Sequence, residues 1–395
     1  MTPEVAAEER WDAVVIGAGP AGAAAALLLA RSGARVLLVE RKTFPRYKVC
    51  GGCLSARAVQ LLTSLGVGQA LASAGALPLE RVVVHAARRT LSLPMSGGRA
   101  LSRATLDSLL VQEAVQAGAH LLTGVYAEVE GVEGPNRRVA LTSRSESPPP
   151  LSGPVRLRAG VVLAADGLGH PSLRRLGTFG ERVSESSYLG AGSVLPAGGS
   201  WPEPHALHMV VGGQGYAGVV RVEHQGVNIA AALAPSFVSE MGGLGPAILS
   251  MLRGTGAPGV PELEGVRWQG TPLLTRRTVP LADTRLFLLG DAAGYVEPFT
   301  GEGMTWALSS AQALVPLALE GAHDWRESLV AEWEERHRRT LSLRPLASRS
   351  VARTLRSPRL MRGALAAGAA FPGLGGAAVR WIAGSSPRPT APMNP

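Results

Sequence analysis

Cysteine is nearly absent. The two thiols, Cys50 and Cys53, are no disulfide framework for a chain of 395 residues, and nothing about them demands an oxidising compartment. Lysine is almost as scarce: only Lys42 and Lys48 occur, so nearly all of the 39 basic residues are arginine. A bias this one-sided reads as codon composition, and the formal net charge of +9 is weak evidence for nucleic acid. Aromatic residues make up 5% of the chain, too few for the stacking platforms of a nucleic-acid groove, so no nucleic-acid partner is expected. The N-terminus carries Glu4, Glu8 and Glu9 and lacks a basic leader region. No apolar run is long enough to span a bilayer, because the stretch from Ala13 to Ala30 is cut by Gly17, Gly19, Pro20 and Gly22. These absences read as a cytoplasmic protein. What is present, 46% hydrophobic and 17% charged residues, supplies a sizeable core and argues against disorder.

The order of patterns predicts an α/β fold. Residues 12–16 form a short apolar run suited to a buried parallel strand. A glycine-rich turn follows, then an Ala/Leu-rich helix over 21–32 that Gly33 stops, then a second buried strand over 35–40. Residues 82–93 read as a hairpin, 102–117 as a helix, 119–126 as a strand, and 128–158 as hairpin strands with a Ser/Pro-rich tip. From about Glu181 to Thr278 short β-type runs surround one helix over 236–252, which suggests a separate antiparallel sheet. The expected division is a dinucleotide domain built from 10–80, 101–178 and 278–322, a substrate sheet from 81–100 and 179–277, C-terminal helices over 323–384, and a disordered tail over 385–395.

Gly17-Ala18-Gly19-Pro20-Ala21-Gly22 follows a strand, opens a helix and has Glu40 ending the next strand. Glycines let the backbone approach a pyrophosphate, the helix start offers free N–H groups, and the acid suits ribose hydroxyls. This unit alone does not separate NAD from FAD. Farther along stand Asp166-Gly167, the segment Gly290-Asp291 continuing to Gly301, Gly303 and Met304, the pair Arg103 and Asp107, and Pro45-Arg46-Tyr47-Lys48-Val49-Cys50-Gly51-Gly52. Helix-start N–H groups at Gly303 and Met304 favour the negative charge of a reduced flavin.

In their order and content these motifs resemble the geranylgeranyl-reductase family, within the para-hydroxybenzoate-hydroxylase-like flavoproteins. The resemblance implies a doubly wound FAD domain of the glutathione-reductase type, an inserted antiparallel sheet that roofs the flavin, and a helical C-terminal segment. It implies FAD held by Gly17, Gly19, Pro20, Ala21, Gly22, Glu40, Arg41, Arg46, Cys50, Gly51, Arg103, Val125, Asp166, Gly167, Gly290, Asp291, Gly301, Gly303 and Met304, with NAD(P)H as transient reductant. Lys48, Cys50, Pro298, Tyr216 and Arg221 are the candidate catalytic residues. Cys50 and Lys48 also read as a packing residue and a phosphate partner, and Tyr216 and Arg221 as plain strand residues. The family's Y-x-W-x-F-P is reduced here to the tyrosine of Gly215-Tyr216-Ala217-Gly218-Val219-Val220-Arg221, which speaks against a phosphorylated prenyl substrate.

Two other readings weigh less. Cys50-Gly51-Gly52-Cys53 suggests a dithiol, but a second dinucleotide fingerprint at Gly167 is broken by Pro171. Cys50, Cys53, His205 and His208 lack zinc-ligand spacing, so no metal is expected. The functional expectation is an FAD-dependent oxidoreductase, first a NAD(P)H- and O2-dependent hydroxylase of a hydrophobic phenolic or polyketide-like molecule. The alternatives are a reductase of isoprenoid C=C bonds and a flavin-binding protein without catalysis. The expected state is monomer or homodimer, and residues 360–382, apolar but broken by Arg362, Pro372 and Arg380, allow contact with the inner membrane face.

Overall fold

The computed structural model describes residues 1–143, 153–196, 202–255, 263, 265–297, 301–341 and 363. Residues 144–152 of the Ser/Pro-rich tip, the apolar stretch 360–382 apart from Gly363, and the tail therefore lie outside the described residues. The apolar run at the start is the strand Trp11–Ile16, flanked in parallel by Val36–Glu40 and Val155–Ala164. His120–Thr123 extends this sheet on one side, and Leu286–Leu288 with the short antiparallel Ala282–Asp283 on the other. Its central strands are covered on both sides, which is why they read as unbroken apolar runs.

The two faces are covered differently. Helices Pro20–Arg31, Ala56–Ser64, Arg103–Gln116 and Gly303–His323 fill one face. Ala23, Ala24, Ala25 and Ala26 are fully buried; their short side chains let the first helix lie close on the strands. The other face carries the antiparallel hairpin Tyr126–Glu133 and Asn136–Thr142 with the short helix Pro3–Glu8. The long strand Val155–Ala164 makes this possible, since its first half pairs with the hairpin and its second half with Trp11–Ile16. The layers are therefore helix, sheet and hairpin, whereas a doubly wound pattern puts helices on both faces.

A second, eight-stranded sheet draws its strands from 53–100 and 189–273, in the order Gln269–Leu273, Leu189–Leu195, Val227–Leu233, Gly215–Arg221, Ala206–Gly212, Leu77–Ala86, Arg89–Ala100 and Cys53–Leu54. All pairings are antiparallel except Ala206–Gly212 with Leu77–Ala86. One face packs under Pro235–Glu240 and Leu244–Gly254. The sequence pattern gives one helix there, but Gly242 and Gly243 break it at φ +77° and +139°, a region glycine enters at little cost. Glu223 ties this sheet to the first unit. Its carboxylate accepts from Ser102 N at 2.9 Å and from Ser102 Oγ and Thr105 Oγ1 at 2.5 Å, at the start of Arg103–Gln116.

The helix Ser328–Leu341 docks through Trp333, fully buried, whose Nε1 donates to Leu288 O at 3.0 Å. His337 meets that indole edge-on, ring centroids 5.3 Å apart. Among the described residues no helix is long and apolar enough to cross a membrane. Burial, then the charge of Arg277, pushes the His337 pKa down to about 4. The folded protein leaves this imidazole neutral where the unfolded chain protonates it, so the stability it allows falls as pH drops from the ordinary imidazole range toward 4. Denaturant unfolding across that window should show a shallower acid loss for His337→Gln than for the parent; identical slopes would contradict this.

Candidate cofactor and substrate site

The glycine turn is shaped by contacts that no side chain could share. Gly17 has φ +98°, and a Cβ there would lie 2.5 Å from Ala165 O; one on Gly22 would lie 1.9 Å from Gly17 O. Pro20–Arg31 starts on Gly19 without a side-chain cap, leaving first-turn N–H groups to be met from outside. A Cβ on Gly19 would meet only guanidinium nitrogens, Arg103 Nη2 at 3.6 Å and Arg46 Nη2 at 4.0 Å. An open helix start faced by two guanidiniums is a cradle for a pyrophosphate.

A buried chain of charges holds those guanidiniums. Arg103 forks onto Asp107 through Nε and Nη2, both at 2.8 Å. Arg46 Nη1 reaches Asp107 at 3.1 Å and its Nη2 reaches Glu40 Oε2 at 3.2 Å. Glu40 Oε2 also accepts from Ala18 N at 3.0 Å, and Oε1 from Lys42 N at 3.1 Å. Two carboxylate oxygens offer about four acceptor sites, so Glu40 keeps capacity for a ribose hydroxyl. Of the other sequence candidates here, Val125 is buried and its N donates to Glu40 O at 3.2 Å, while Arg41 is exposed.

Asp166 and Asp291 end neighbouring parallel strands, brought level by the register of Leu288 with Ala164. Asp166 Oδ2 accepts from Ser172 N at 2.7 Å, its Oδ1 is buried without a hydrogen-bond partner, and burial raises its pKa. Gly290, at φ +59°, would set a Cβ 2.7 Å from Ala21 Cβ, so the Asp291 loop closes directly over the helix start. Lys48 Nζ lies 3.2 Å from where Gly167 would carry a Cβ. Burial lowers the Lys48 pKa, with Asp291 opposing.

Between the two sheets runs a cleft of about 1320 Å³ including its open mouth. At the cofactor end it is lined by Gly19, Pro20, Ala21, Lys48, Cys50, Gly51, Arg103, Gly167, Asp291, Gly301, Gly303 and Met304. The roof sheet contributes Leu207, Met209, Tyr216, Gly218, Ala230 and Ala232. The Cys50 segment crosses between the sheets, its carbonyl accepting from Asn228 Nδ2 at 2.9 Å. Cys53 also lines the cleft; its thiol donates to Gly51 O at 3.4 Å, and burial followed by Cys50 pushes its pKa up, the opposite of a reactive thiol.

Sequence candidates separate here. Tyr216 lines the cleft, and burial followed by the Glu297 charge raises its pKa. Arg221 is five residues on and so on the opposite face, where its Nε donates to Pro202 O at 2.5 Å. Pro298 lies outside the described residues. Asp107, Glu297 and Tyr295 were not singled out as site residues; the Arg103 spacing pointed to Asp107, while no spacing marks Glu297.

Two half-buried acids just past the ends of adjacent strands, an open glycine cradle under two guanidiniums and an unsatisfied Asp166 oxygen fit an FAD, and the arrangement defines a flavoprotein of mixed α/β fold. The FAD binding domain family matches residues 10–228, more than half the chain, and the chain belongs to that family; it is an FAD-dependent oxidoreductase. It is 29% identical over 344 residues to menaquinone reductase of Mycobacterium tuberculosis, covering 78% of this chain and 77% of that protein. It is 30% identical over 201 residues to protein FixC of Salmonella typhi, covering 47% and 42%. A flavoprotein/dehydrogenase from Cytophaga hutchinsonii superposes with a TM-score of 0.77 at 19% identity, covering 95% and 93%. The flavin-dependent brominase Bmp2, as a triple mutant, gives 0.77 at 16% identity, covering 95% and 94%.

Gly19→Val places a side chain against the Arg103 and Arg46 guanidiniums, in the cradle itself. Flavin content after gel filtration should drop several-fold while the unfolding free energy stays within about 1 kcal/mol of the parent; full flavin retention would argue against the cradle.

Proposed function

We propose that the protein is an FAD-dependent reductase of carbon–carbon double bonds in an apolar isoprenoid substrate with an uncharged head, such as an isoprenoid quinone. The observation that carries this is the distribution of charge in the cleft. Its charged lining residues among those described are Lys48, Arg103 and Asp291, all at the cofactor end. The roof is aliphatic with small residues, Gly218, Ala230 and Ala232, which leave a slot for a chain. Among the described residues no cation of the roof lines the cleft, in keeping with the loss of the family's Y-x-W-x-F-P. The relative named menaquinone reductase supports a reductase with an isoprenoid quinone as substrate.

When bound, FAD supplies two-electron transfer, with NAD(P)H proposed as its source of electrons. The chain's part is to seat the pyrophosphate on the Gly19 cradle and the ribitol at Asp291, and to place N–H groups at Gly303 and Met304 where negative charge develops. The apolar roof excludes water and aligns the chain. We further propose that residues 360–382 meet the lipid surface from which such a substrate comes. Hydroxylation of a phenolic molecule is the second reading, favoured by the polar Tyr216 at the cleft wall.

One anaerobic incubation separates the two. Reduced holoenzyme with menaquinone, incubated without O2, should yield a product that is still heavier by two hydrogens per saturated bond after its head group has been reoxidised to the quinone. A product that carries an added oxygen atom and forms only in air would overturn the reductase reading.

A further inference from the structure

Tyr47 ends in a hydroxyl whose oxygen is buried and, among the described residues, has no hydrogen-bond partner. Folded proteins keep few such groups, because an unmet buried hydroxyl costs free energy that a phenylalanine would not. Its place is set by Gly192. A Cβ there would lie 2.7 Å from Tyr47 Oη, 2.9 Å from Ile229 O and 3.3 Å from Val49 Cγ1. The hydroxyl therefore occupies the space that a side chain at 192 would fill. Gly192 shares a strand with Gly190, two residues away, and pairs with Ala230; both of these line the cleft. Strand alternation turns that space to the cleft side of the roof. The register Met209, Gly218, Ala230, Gly192 runs straight across four strands. Its first three members line the cleft, and strands lie about 4.8 Å apart, so the hydroxyl stands one strand beyond that lining, next to Ala230. Val49 and Cys50, which follow Tyr47 in the chain, line the cleft as well. Burial first, and Cys50 after it, raise the Tyr47 pKa, so the hydroxyl keeps its proton.

We infer that Tyr47 is the head-group donor of the cleft: its hydroxyl donates to a quinone carbonyl of the substrate and so selects an oxygen-bearing head over a plain hydrocarbon. A phenol has one proton to give, and no acceptor among the described residues holds this one. A ligand laid over Gly218 and Ala230 brings its end toward Gly192, where Tyr47 meets it. A carbonyl that leaves water without finding a donor loses its hydrogen bonds; one that meets Tyr47 regains a bond and satisfies the hydroxyl in the same contact. The inference rests on the reading of the cleft as a site for an isoprenoid quinone, and it adds which side chain recognises the head.

The test uses oxidised holoenzyme, without a reductant, and two probes of one shape: duroquinone (tetramethylbenzoquinone) and durene (tetramethylbenzene). The four methyl groups block addition of Cys50 or Cys53 to the quinone ring. Equilibrium dialysis gives the two affinities for the parent and for Tyr47→Phe. The variant should bind duroquinone about tenfold more weakly and durene as the parent does. Its melting temperature without probe should equal or exceed the parent's, since the atom removed had no partner. A merely structural hydroxyl would give the reverse, a lower melting temperature and an equal loss for both probes. That pattern, or an unchanged affinity for duroquinone, would overturn the inference. Failure to saturate an isoprenoid leaves these affinities untouched, so the two readings fail separately.

Discussion

Four buried side chains hold the cofactor end together: Glu40, Arg46, Asp107 and Arg103, joined in that order by contacts of 2.8 to 3.2 Å. They come from the end of a strand, the loop after it and the helix Arg103–Gln116. Burying four charges is costly unless each is paired, and removing one partner strands the rest. Pairing here does more than offset that cost. It fixes two guanidiniums over Gly19, at the mouth of a helix whose first N–H groups are uncapped, and so gives a lone glycine turn its charge and its geometry.

The cleft follows from how the two sheets meet. The Cys50 segment leaves the cofactor unit, bonds to Asn228 and enters the roof sheet at Cys53–Leu54. Glu223 returns the connection by gripping the start of Arg103–Gln116. With both ties in place, small roof residues stand opposite the Asp291 loop and leave an aliphatic slot. The charged groups stay at one end and Tyr216 supplies a polar point in the wall. An apolar chain with an uncharged head fits that distribution.

Much of this was legible in the chain because the signals are local. Gly17, Gly19 and Gly22 before an alanine-rich helix, and Glu40 at the end of the following strand, state their geometry through spacing alone. The acids Asp166 and Asp291 were readable because each ends a buried strand. Signals that depend on facing were harder. Tyr216 and Arg221 lie in one strand, yet their odd separation puts them on opposite faces, as strand alternation requires. Over 236–252 the apolar period masked the Gly242-Gly243 break. The hairpin on the second face of the parallel sheet was visible as strands, but not as a layer replacing helices.

The most direct measurement of the account is the affinity of apoprotein for FAD and for riboflavin in Asp107→Asn and the parent. The asparagine keeps the size of Asp107 but loses the charge that holds Arg46 and Arg103 over the turn. FAD binding should weaken by about tenfold or more, while riboflavin, which has no pyrophosphate, binds alike in both. Equal loss for the two ligands, or none for FAD, would contradict the buried charge chain as the seat of the cofactor.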